Sequence, residues 1–392
     1  MNHEIILQIF SGGFLGKPVP YEKVEQKLLS VLSRLPVAKV IMGWALDREL
    51  YERTAAFLAK RGIDFYVWFP VFSETGALRP LSGLVDFHGS RVEGGGTHSD
   101  EDFSFCCPNS KQNIDSILDI FEREFAPVPF NGIFLDKIRF PSFAQGQRPG
   151  QGWSSVFSCF CPKCMALYEQ EGFKPEQLKK ALSQSASTPL GIKEYHGNGN
   201  YSFEAPVVSR FFSLKAAFIF QNLKRICRYF REKGLGIGLD VFAPFLAPFT
   251  GQDLMALSGL AGFIKPMMYR ATRAPAGLPY ETEMLLRETG CDGDEKRQKF
   301  FKLLGLDSEQ KPFDLAFSAN ELKQTAAASS CPVYAGVEIN RKKKIAEVYP
   351  GYIKETIDAF SRTGIRGFTL SWDLLDAPEE NITAVADTIN RT

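Results

Sequence analysis

Eight short apolar runs, separated by stretches of helical period, constrain this chain more than anything else in its sequence. The runs occupy 4–10, 38–44, 63–72, 131–140, 235–242, 262–269, 333–339 and 366–372. Between them, apolar residues recur at helical spacing over 21–35, 47–60, 110–125, 207–233, 251–258, within 280–329 and over 350–363, with a last stretch at 378–390. Strands that stay apolar on both faces belong to a parallel sheet covered on both sides. Strict strand-then-helix order predicts an α/β fold, a single (β/α)8 TIM barrel over 1–392 with helices outside a closed ring of strands. An open, doubly wound sheet keeps the same order along the chain and is the competing arrangement. The connections at 73–109, 142–205 and 270–313 are long, and each follows a strand. In a barrel such insertions lie on the C-terminal, ligand-binding face.

Composition narrows the function. Apolar residues make up 44% of the 392 and charged residues 23%, which suits a large packed core. A net charge of +1 argues against nucleic acid or an anionic membrane as partner. The N-terminus has neither a basic segment nor a long apolar one, and no run approaches the length of a membrane span. Eight cysteines are too few for a disulfide scaffold, so a reduced, cytoplasmic setting is expected. Oligomeric state is left open.

The strand ends carry the chemistry. In the fourth run, Ile133, Phe134 and Leu135 are followed by Asp136 and, after one more apolar turn, Arg139. Asp240 closes the fifth run and Glu338 the seventh, while Lys265 and Tyr269 lie in the sixth and Trp372 and Asp373 end the eighth. A carboxylate at the end of a buried strand requires a cleft or a partner charge. Three such acids converging on the barrel mouth suit glycoside hydrolysis. One carboxyl group protonates the leaving oxygen, while the other attacks the sugar or activates water. The bland alternative pairs Asp136 with Arg139 or Lys265 and leaves the other acids as helix caps. Of the four tryptophans, Trp44, Trp68 and Trp372 fall at strand ends and Trp153 in the fourth loop. Flat rings at a polar cleft suit the apolar faces of sugars.

The segment Gly-Ile-Phe-Leu-Asp-Lys-Ile-Arg-Phe-Pro at 132–141 resembles the fourth-strand motif of glycoside-hydrolase-like barrels, the "family 10-like" glycosyl hydrolases of largely unknown specificity. Lys265-Pro-Met-Met-Tyr269 is similar to their sixth-strand Pro-Met-x-Tyr, and Cys159-Phe-Cys-Pro-Lys-Cys164 to a segment some relatives carry after strand four. The resemblance implies a carbohydrate substrate, no cofactor for catalysis, and Asp136 as the catalytic carboxylate to carry over. Chitinase-like barrels end the equivalent strand Asp-x-Glu, and here that glutamate position is Ile138. The resulting expectation is a glycoside hydrolase with Asp136 as nucleophile or base and Asp240, or almost equally Glu338, as general acid. Arg139, Lys265, Tyr269, Trp44, Trp68, Trp372 and Asp373 would hold the sugar. A non-catalytic sugar-binding barrel, and a lyase or isomerase using Lys265, are the competing classes.

Three further signals need placing. Cys161-Pro-Lys-Cys164 has the spacing of a zinc knuckle, with Cys159 just before it and Cys106-Cys107 in the third loop. A structural zinc, free thiols and a disulfide are all compatible with that pattern. Gly234-Leu-Gly-Ile-Gly238 enters a strand where a dinucleotide fingerprint would leave one. Gly94-Gly95-Gly96 reads as a flexible lid, and Arg341 to Lys344 as a solvated basic run near Glu338.

Overall fold

The computed structural model describes residues 3–13, 19–73, 82–92, 104–145, 151–184, 186–307 and 313–391. Its main sheet holds β1 (Glu4–Phe10), β2 (Val37–Gly43), β3 (Asp64–Pro70), β4 (Gly132–Asp136), β5 (Gly236–Val241), β6 (Phe263–Pro266), β7 (Tyr334–Glu338) and β8 (Gly367–Ser371). The pairings within it are parallel, and neighbours run β6-β5-β4-β3-β2-β1-β8-β7. Bridges Ile264–Val333 and Met267–Gly336 join the two ends. Chain order is therefore order around a closed ring, which decides for the barrel over the open sheet.

The helices between the strands begin where polar side chains can take up unpaired backbone amides. Asp47 accepts from Leu50 N at 3.0 Å to start Arg48–Ala59, and Ser110 caps Lys111–Ile120. Asp253 and Asp314 do the same for Leu254–Ser258 and Leu315–Ala328. The fourth strand is shorter than its apolar run suggested, ending at Asp136. Lys137 has φ of 52°, so the chain leaves the extended conformation there. It then crosses to the loop after β5, where Phe140 N donates to Thr250 O at 2.9 Å.

Strand parity divides the core. Ile5, Leu7 and Ile9 pack outward with the helices, while Ile6 belongs to an interior cluster with Ile41, Trp44, Tyr66, Trp68, Phe134, Phe263 and Tyr334. Phe263 is the hub of this barrel floor, with ring centroids 5.9 Å from Phe134, 5.6 Å from Tyr66 and 5.5 Å from Tyr334. Glycines on the facing strands make the room. A Cβ at Gly238 would sit 2.3 Å from the Phe263 ring, and one at Gly132 would sit 2.2 Å from Tyr66. The glycine run that imitates a dinucleotide fingerprint thus clears space for aromatic rings.

Segment 142–205 contains helices Gln151–Val156, Pro162–Gln170 and Pro175–Leu182, then an antiparallel pair, Ile192–Tyr195 with Tyr201–Phe203. Segment 270–313 contains helices Leu278–Glu288 and Asp294–Leu303. The Gly94–Gly96 run lies outside the described residues. No helix among the described residues is long and apolar enough to cross a membrane.

Candidate functional site

Directly above the aromatic floor, the inward positions change from apolar to polar. Side chains alternate faces along a strand, so two residues beyond inward Ile6 comes Gln8, and two beyond inward Phe134 comes Asp136. The same step leads from Gly238 to Asp240, from Phe263 to Lys265 and from Gly336 to Glu338. Register brings two acids together. Gly132 pairs with Gly236 and Leu135 with Leu239, so the next rung sets Asp136 beside Asp240. Asp240 in turn pairs with Lys265.

Asp136 does not pair with Arg139 or Lys265, the two partners its sequence context offered. Its Oδ2 accepts from Trp68 Nε1 at 3.0 Å, and its Oδ1 from the backbone N of Lys137. The carboxylate is 6% exposed, so these two donors fix its orientation. Lys265 goes to Asp240 instead, Nζ to Oδ2 at 3.1 Å, and also donates to Tyr269 Oη at 2.6 Å and Gln8 Oε1 at 3.2 Å. Ser371 Oγ donates to the same Gln8 oxygen at 3.1 Å.

Asp240 Oδ1 is buried without a hydrogen-bond partner among the described residues. Burial pushes this carboxyl up to about 7; the Asp136 charge adds to the rise, and the Lys265 cation works against it. It is a group that holds a proton near neutrality on an oxygen no donor occupies. The lysine that keeps it in place has three acceptors around one ammonium, which removes the free amine a Schiff base needs.

Glu338, the second candidate for general acid, has a different set of partners. Its carboxylate accepts from Thr272 N and Thr272 Oγ1 at 2.6 Å each, from Ala271 N at 3.0 Å, and from the Tyr352 hydroxyl. The side chain is completely buried. Burial pushes the group up, and the donors from Thr272, Tyr352 and Ala271 work against that rise. Glu338 latches the loop after β6 and helix Pro350–Phe360 onto β7.

The other expected ligand residues have the following surroundings. Arg139 lies beneath the loops at 3% exposure; its Nη1 donates to Gln145 Oε1 at 2.7 Å and to Phe140 O at 3.0 Å. Its guanidinium sits over Phe242 at 4.2 Å and Phe105 at 5.0 Å. Burial lowers it to about 10, opposed by Glu281, Asp136 and Asp240. Asp373 caps the turn Leu374–Asp376 and accepts from Phe10 N at 3.1 Å, tying the end of β1 to that of β8. Trp44 and Trp68 pack at 5.0 Å on one side of the mouth, and half-buried Trp372 lies 6.3 Å from Tyr269 on another. Trp153 packs on Phe157, 4.6 Å away. Within the basic run, Arg341 pairs with Glu380 and Lys342 with Asp376, while Lys343 and Lys344 are exposed. Sequence reasoning passed over Gln8 and Ser371. Their signal was a polar residue at an inward position of an otherwise apolar strand.

Cys159, Cys161 and Cys164 gather as expected, and the fourth thiol beside them is Cys107. A cavity of 480 Å³ lies elsewhere, lined by Tyr201, Phe212, Gln252 and Asp253 among others. Its one carboxylate, Asp253, caps a helix.

No family model and no curated protein matches the sequence. Solved structures do match in fold. The glycoside hydrolase domain of PgaB (BpsB) from Bordetella bronchiseptica superposes with a TM-score of 0.61 at 12% identity, over 99% of this chain and 98% of that one. Alpha-L-fucosidase isoenzyme 2 from Paenibacillus thiaminolyticus gives 0.52 at 11% identity, over 100% of this chain and 49% of the fucosidase. These likenesses show the (β/α)8 barrel fold of this chain.

Proposed function

We propose that the chain hydrolyses glycosidic bonds through Asp136 and Asp240, with retention of anomeric configuration. What supports this reading is the register of adjacent strands, Leu135 with Leu239, which puts inward Asp136 and Asp240 one residue further on, one with fixed donors and one able to hold a proton near pH 7. Adjacent strands lie about 4.8 Å apart. That favours the separation of about 5–5.5 Å used by retaining enzymes over the about 6.5–9.5 Å that admits an inverting water.

Asp136 would attack the anomeric carbon. As the glycosidic C–O bond breaks, Asp240 gives its proton to the departing oxygen. The resulting glycosyl ester on Asp136 is then cleaved by a water whose proton returns to Asp240. Lys265, held by Gln8 and Tyr269, binds Asp240 through Oδ2, and the buried Oδ1 has no hydrogen-bond partner among the described residues. Trp44, Trp68 and Trp372 would supply ring faces to the sugar. The glycoside hydrolase fold of the structural neighbours is consistent with this assignment.

A panel of aryl glycosides and oligosaccharides tests it. An active substrate should lose on the order of 10³ or more in kcat when Asp136 is replaced by Asn, with circular dichroism unchanged. Near-wild-type turnover by that variant, or saccharide binding without any product, would overturn the assignment.

A further inference from the structure

We propose that Cys107, Cys159, Cys161 and Cys164 bind one zinc ion in a closed tetrathiolate site that staples the loop after β3 to the loop after β4. The four sulfurs all lie within 4.8 Å of one another, with Cys107 Sγ 3.5 Å from Cys164 Sγ and 3.8 Å from Cys161 Sγ. Zinc–sulfur bonds of about 2.3 Å place the corners of a tetrahedron about 3.8 Å apart. Disulfide sulfurs lie at about 2.05 Å, and none of Cys107, Cys159, Cys161 and Cys164 is in a disulfide. The cluster fits a single ion. With four protein ligands it keeps no open position, which is the mark of a structural site.

The surroundings fit thiolates and not thiols. Asn109 Nδ2 donates to Cys164 Sγ at 3.3 Å, and the amide is oriented for this because Asn222 Nδ2 donates to Asn109 Oδ1 at 2.8 Å. Cys161 and Cys164 stand at the N-terminus of helix Pro162–Gln170, which favours negative charge. Lys215 is completely buried and donates to Val156 O at 2.5 Å, three residues before Cys159. Four thiolates around a divalent ion leave two negative charges, and the Asn109 N–H···S bond is set against them.

The backbone around each ligand is already set. Cys107 N donates to Ser82 O at 2.9 Å and Cys107 O accepts from Asn113 Nδ2 at 3.0 Å, which pins it before helix Lys111–Ile120. Phe160 N donates to Val85 O at 2.7 Å, joining the two loops beside the cluster. From there the path to the site is short. Cys106 N donates to Phe72 O, and Phe72 N donates to Lys137 O, one residue from Asp136.

The test is metal analysis of the intact purified chain, followed by cobalt exchange. About one zinc per chain is expected, together with sulfur-to-cobalt charge-transfer absorption after exchange. Cys106→Ser should retain the zinc, and Cys161→Ser should lose it. Should Cys161→Ser fail to fold, the metal count and cobalt spectrum of the unaltered chain still decide. A chain grown with added zinc that holds no stoichiometric metal, that holds iron instead, or that shows a disulfide among these four by mass spectrometry would overturn the site. None of these outcomes depends on turnover of a glycoside, so the proposal stands or falls apart from the hydrolase reading.

Discussion

Asp240 and Glu338 look alike in the sequence and do different work in the fold. Each is an acid at the end of an apolar run, each points into the barrel, and burial pushes both carboxyl groups up. Asp240 has one strong donor, Lys265, and an oxygen with no partner among the described residues. Glu338 takes donors from Ala271, Thr272 and Tyr352. An acid with spare hydrogen-bonding capacity can give or take a proton, whereas one saturated by donors holds its neighbours in place. The number of donors that reach a buried acid, and not its position on a strand, separates the two roles.

That contrast can be broken by experiment. Asp240→Asn should lower kcat/KM by about 10²–10⁴ on substrates whose leaving group needs a proton. It should spare aryl glycosides whose leaving groups depart as stable anions. A uniform loss across both substrate types would take the acid role from Asp240. Glu338→Ala should instead cost about 3 kcal/mol of stability, because buried donors lose their acceptor, and a denaturation midpoint close to wild type would undo the latch. The pH profile sharpens the contrast further. With Asp240 titrating at about 7, kcat/KM should fall above that pH, and Lys265→Met should move this alkaline limb upward, since the cation holds the group down. A limb that stays in place would mean another group sets it.

Stability gives the smallest effect, with a definite sign. Asp240 keeps its proton in the fold to about 7 but in the unfolded chain only to 3.8. Its contribution is therefore fully present below about 4 and lost as pH rises through about 7. Asp240→Asn should flatten that slope in urea titrations taken across the window, and a slope unchanged from wild type would count against the shifted group.

Much of the architecture was legible in the sequence because it rests on local chemistry. Apolar runs of strand length, the caps Asp47 and Ser110, and two-residue parity all act between near neighbours. Parity alone sets Asp136, Asp240, Lys265 and Glu338 on the inner face. The Cys-x-x-Cys spacing likewise follows from one turn of helix Pro162–Gln170. The length of the fourth strand was overestimated because apolar Ile138 and Phe140 read as strand, while Lys137 had already turned the backbone aside.

The partner of each inward group came only from the closed fold. The donors to Glu338 stand 66, 67 and 14 residues away, and Trp68 reaches Asp136 across 68. Cys106 and Cys107 are indistinguishable as text, and the loop backbone turns Cys107 toward the other three thiols. Arg139 is drawn under two phenylalanine rings that no spacing rule connects to it. Periodicity therefore determined which way each side chain points. Closure of the ring decided what it meets there, because hydrogen bonds in a buried layer form between strands and loops far apart in the chain.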